Sequence, residues 1–143
     1  MSDISVFESR TGTLSCTSEE VYNFVTDIRN FGRFIPDGTL THWQADKESC
    51  SFRVSVVGVI SVRITGKVPF SRVNYDGDAL KKNDFSLVLK INNSNSDSAE
   101  VKILLEAELN PMLRMMASKP IVQFLEMLIS EMEKFREWRN IVK

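Results

Sequence analysis

Histidine occurs once and cysteine twice in 143 residues, and the chain has neither a basic excess nor a long apolar run. Each shortage removes a class of function. With His42 alone, a His-based metal centre or a Ser-His pair would rest on a single side chain, which reads better as a surface or rim residue. Cys16 and Cys50 have neither CxxC spacing nor nearby histidines, so they read as buried free thiols rather than metal ligands or a disulfide. The net charge of −1 gives no basic face to neutralise phosphates, which argues against nucleic acid as a partner. No stretch approaches the ~20 apolar residues that span a bilayer. The opening Met1-Ser2-Asp3-Ile4-Ser5 lacks the basic and apolar regions of a signal peptide, so a cytoplasmic protein is expected.

What is present is ordinary globular material, 43% hydrophobic and 26% charged. Glycine and proline form no linker, no repeat is visible, and residues 1–143 read as one domain. Val6 to Cys16 reads as a strand. Thr17-Ser18-Glu19-Glu20 then fits a capping box that opens a helix with Val21, Phe24, Val25 and Ile28 on one stripe. Asn30 is placed to cap a second short helix carrying Phe31, Phe34 and Ile35, which Pro36-Asp37-Gly38 stops.

From Thr39 to Leu109 the period becomes two. Cys50, Phe52, Val54 and Val56 alternate with polar neighbours, as do Ile60, Val62 and Ile64, then Phe85, Leu87, Leu89 and Ile91, then Ala99 to Leu109. Such alternation predicts an antiparallel meander with one buried and one wet face. Asn92-Asn93-Ser94 matches a glycosylation acceptor but reads as a turn. Asn110-Pro111 starts a last helix, running to about Trp138 and kinked or divided at Pro120. Ile121, Leu125, Leu128, Met132 and Phe135 give it an apolar stripe that must lie on the concave side of the sheet. Its end, with Lys134, Arg136, Arg139 and Lys143, reads as solvated.

This order (a strand, two short helices, about six strands, a long helix) resembles the START-like helix-grip superfamily, also called SRPBCC, in its polyketide cyclase/dehydrase or coenzyme-Q-carrier-like group. The likeness spans about Val6 to Phe135. It is most specific from Thr17 to Asp27, a polar cap followed by Glu19-Glu20-Val21, an aromatic and a terminal Asp, and it continues through Phe31 and Phe34-Ile35-Pro36. The resemblance implies an α+β helix-grip fold: a curved antiparallel sheet of six to seven strands around a long C-terminal helix, with a cavity between them.

The function expected is binding or transport of an apolar small molecule, without catalysis, metal or cofactor. The lining expected is Phe52, Val54, Val62, Ile64, Phe85, Leu87, Leu89, Ile103, Leu105, Met112, Met116, Phe124 and Leu128. A cyclase- or isomerase-type enzyme acting in the same cavity is the alternative, although the inward face of the last helix offers no acid–base groups. A protein- or membrane-docking module using the Met-rich segment is the third reading. Met112, Met115 and Met116 suit either a gate or core filling. Counting by twos from Leu14 turns Glu8 and Arg10 inward as polar anchors, whereas a bulge at Gly12 would turn them outward. Glu106 and Glu108 share a strand face that should be solvent-facing, and Glu131 flanks the helix stripe.

Overall fold

A computed structural model gives the fold. It describes residues 3–35, 40–54, 58–79, 83–93, 98–136 and 138. The turn expected at Pro36-Asp37-Gly38, the strand position Val56, and Ser94 of the glycosylation-like triplet lie outside the described residues.

The opening segment is two strands, β1 (Asp3–Glu8) and β2 (Gly12–Leu14). Helix α1 (Ser18–Val25) follows, and the capping box is complete: the Glu20 amide donates to Thr17 Oγ1 at 3.1 Å, and the Thr17 amide donates to Glu20 Oε1 at 2.9 Å. Val21, Phe24 and Val25 are its buried stripe. A 3₁₀ helix, Ile28–Phe34, comes next, and its cap is Asp27 rather than Asn30. The Asp27 carboxylate accepts the Arg29 amide at 3.1 Å and pairs with the Arg29 guanidinium at 2.6 Å. Asn30 lies inside the turn, fully buried, where its Nδ2 donates to the Phe24 carbonyl at 2.8 Å.

Six further strands follow: β3 (Thr41–Ala45), β4 (Ser49–Val54), β5 (Gly58–Val68), β6 (Arg72–Ala79), β7 (Asn83–Asn93) and β8 (Ala99–Leu109). All eight join one antiparallel sheet in the order β1-β8-β7-β6-β5-β4-β3, with β2 pairing β8 beyond the end of β1. Helix α2 (Pro111–Lys134) runs back over the sheet in one piece. Pro120 neither divides it nor strands a buried group, because the turn it interrupts is solvent-exposed.

The core lies where α2 packs on β1, β2 and β8, with Leu125, Leu128, Ile129 and Met132 buried against Leu14, Val101 and Ile103. Past the helix the chain turns inward. Trp138 is buried in the expected solvated end, its ring 5.0–5.5 Å from those of Phe24, Phe34 and Phe135. Its indole N–H donates to the Phe135 carbonyl at 3.2 Å, so the aromatic face is buried without an orphaned donor.

Candidate functional site

Strand register decides what lines the inner face. One rung crosses the whole sheet: Ser5 opposes Ala107, then Phe85, Gly77, Val62, Cys50 and Ala45 follow strand by strand. Five of these seven side chains are small. Of the two larger ones, Phe85 and Val62, Phe85 lies over its partner: a Cβ on Gly77 would stand 2.8 Å from Phe85 Cε2. A side chain at residue 77 and the ring cannot share that space, so glycine is required there.

One flanking inner rung is large on five strands, the other on β4 and β5. Phe7, Leu105, Leu87, Tyr75 and Ile64 form one wall. Ile60 and Phe52 form the other, continued by Trp43, whose ring stacks on Phe52 at 5.9 Å. The result is an apolar inner face with a strip of small residues along its middle. Helix α2 covers the Ser5 end, over β1 and β8, while Trp43, Ala45, Cys50, Phe52, Val62, Ile64, Leu87 and Phe124 are only half-buried.

The expected lining divides accordingly. Phe52, Val62, Ile64, Phe85, Leu87, Leu105 and Phe124 are half-buried, and Leu89, Ile103 and Leu128 lie in the packed core beneath α2. The Val54 side chain is outside what the structure describes. Met112 and Met116 stand elsewhere, 72% and 68% exposed. At about 100° per residue they fall on the face of α2 opposite Ile121, Leu125 and Leu128.

Glu8 and Arg10 lie off the inner face. Glu8 opposes Leu104 but Gly12 opposes Val101, so four residues of the first segment run against three of β8. That extra residue is a bulge, which flips the side-chain alternation. Ser9 turns in, its Oγ accepting the Ile103 amide at 2.9 Å, while Glu8 pairs with Lys102 at 3.2 Å. Arg10 reaches α2, where its guanidinium sits 2.7 Å from Glu133 and donates to Ser130 Oγ at 3.0 Å. That pair holds the Glu133 carboxyl below its usual range.

Among the described residues the ionisable groups on the inner face are a thiol and a phenol. Burial pushes the Cys50 thiol up to about 11 and raises the Tyr75 phenol, whose hydroxyl donates to the Val25 carbonyl at 3.2 Å. Ser5 lies there too, buried and with no partner for its Oγ. Sequence reasoning missed Ser5, Trp43, Cys50 and Gly77, because only the register shows that they share this surface.

His42 is exposed, its ring 3.1 Å from Thr41 Oγ1, and has φ 57° beside a register shift in β3. Glu106 and Glu108 are exposed on the outer face. They line a trough of about 1270 Å³ together with Asp76, Asp78, Arg63 and four serines, and Ala45, Cys50, Val62, Gly77, Phe85 and Ala107 of the central rung border it as well. Glu131 pairs with Lys134 at 3.3 Å. Among the described residues no three His, Cys, Asp or Glu side chains converge as a metal site needs, and no helix is long and apolar enough to cross a membrane.

No protein-family model matches the sequence, and no curated protein matches it. Solved structures do match in fold. A START superfamily protein from Mycobacterium smegmatis superposes with a TM-score of 0.62 at 13% identity, covering 92% of this chain and 97% of that one. Truncated norcoclaurine synthase from Thalictrum flavum gives 0.73 at 8% identity, with 93% of each chain covered. An uncharacterized protein from Bacillus thuringiensis gives 0.69 at 7%, covering 92% and 97%. Curved sheet, paired short helices and long closing helix together make this a START-like helix-grip fold.

Proposed function

We propose that the domain binds an apolar small molecule, of lipid, quinone or polyketide type, in the hollow between the sheet and α2. The carrying observation is the inner rung of small residues flanked by large ones, half open where α2 does not cover it. Such a surface gains by removing an apolar guest from water, roughly 25 cal/mol for each Å² buried. The reading as a binder rather than an acid–base enzyme is supported by Cys50 and Tyr75, which burial keeps protonated at neutral pH. The matching structures include both a START superfamily protein and a synthase, so fold alone favours neither.

Trp43 is a built-in reporter, half-buried in the wall, whereas Trp138 is buried in the far core. Titration with a prenylated benzoquinone or a long-chain fatty acid should change Trp43 emission saturably. Val62→Phe, which fills the floor without adding a fluorophore that emits with tryptophan, should abolish the response while the fold persists. A response insensitive to filling the floor would place any binding elsewhere.

A further inference from the structure

We propose that the first three turns of α2 dock this domain onto a lipid surface bearing anionic headgroups. Met112, Met115, Met116 and Val122 are 72%, 82%, 68% and 36% exposed. Farther along α2 the same angular face carries Gln123, Glu126, Ser130 and Glu133, and the last three are half-buried against Arg10 and Thr13, so only the first turns present an apolar face to water. A soluble helix has no reason to turn three methionines to water, and their flexible thioether chains suit insertion among headgroups.

Charge chooses the occupant. Between Pro111 and Leu125 the chain carries Arg114 and Lys119 and no carboxylate. Removing those two cations from a net charge of −1 leaves −3 on the remaining chain. An anionic surface therefore attracts this end and repels the rest, which fixes the approach; the positive end of the α2 dipole acts in the same sense. A second copy on a two-fold axis would set these cations against themselves, which disfavours self-association. The inference stands whether or not the hollow holds a ligand.

The test is co-sedimentation of the full chain with vesicles of phosphatidylcholine alone, or of phosphatidylcholine mixed with phosphatidylserine. The wild type should pellet with the mixed vesicles, far less with the neutral ones, and progressively less with salt. Met112→Ser/Met115→Ser/Met116→Ser and Arg114→Glu/Lys119→Glu should each weaken binding at least about tenfold, with unchanged thermal melts. Arg72→Glu/Lys90→Glu makes the same change in net charge on the sheet and should bind like wild type. No pelleting by the wild type, undiminished pelleting by the methionine triple, or equal loss in the sheet control would overturn the proposal. So would a concentration-dependent dimer that the triple abolishes without any vesicle binding, since the patch would then be a contact between copies.

Discussion

A methyl group added at Gly12 would stand 2.6 Å from Cγ2 of Ile129, so β2 and α2 meet at a point with no room for a side chain. The contact lies just past the bulge, in a strand that pairs only β8. Gly12→Ala should then destabilise by about 1–3 kcal/mol through overpacking. Denaturant unfolding measures it, and Ile129→Ala, costly alone, should cost less in the Gly12→Ala background. Simple additivity of the two would mean that the contact is not made.

Leu128 faces the sheet 7% exposed among Leu125, Ile129 and Met132. Leu128→Ala should cost about 2–5 kcal/mol, because the surrounding helix and sheet cannot collapse onto the space left. A loss near zero in equilibrium unfolding would show that α2 is not in the core.

Asp27 is buried, and its hydrogen bonds and ion pair with Arg29 hold its carboxyl below the ordinary value. A folded value below the unfolded one, which is about 3.9, gives stability that is complete above the unfolded value and lost as pH falls through the folded one. Asp27→Asn keeps a cap acceptor but no charge. Its melting temperature should lie below wild type at pH 7, and the gap should close below about pH 4. A gap of constant size would mean that the charge contributes nothing.

Burial pushes the Cys16 thiol up to about 12 and that of Cys50 up to about 11. Thiolate is the reactive form, so at pH 8 the folded chain should react with dithiobis(nitrobenzoate) at least about a hundredfold more slowly than the chain in urea. Cys50, half-buried on the inner face, should be the faster of the two, and an apolar ligand should slow it further. Ligand-independent labelling of Cys50 would count against the hollow as the binding site.

Sequence alone determined whatever depends on near neighbours. The capping box of Thr17 and Glu20, the start of α2 at Pro111 and the one-sided strands are local chemistry, and local chemistry is written in order along the chain. Tertiary structure decided the rest. One extra residue beside Ser9 turned Glu8 and Arg10 outward, a choice that counting by twos leaves open because a bulge costs little and shows no fixed sequence mark. Asp27 capped the 3₁₀ helix in place of Asn30 because Arg29 folds back on its carboxylate. The inner strip of small residues exists because Ser5, Ala107, Gly77, Cys50 and Ala45, scattered over a hundred residues, meet in one rung. The methionines face water because the sheet beneath α2 is used up by the apolar stripe that begins at Ile121. Burial is a property of what lies opposite a side chain, and only the folded pairing of strands and helix says what that is.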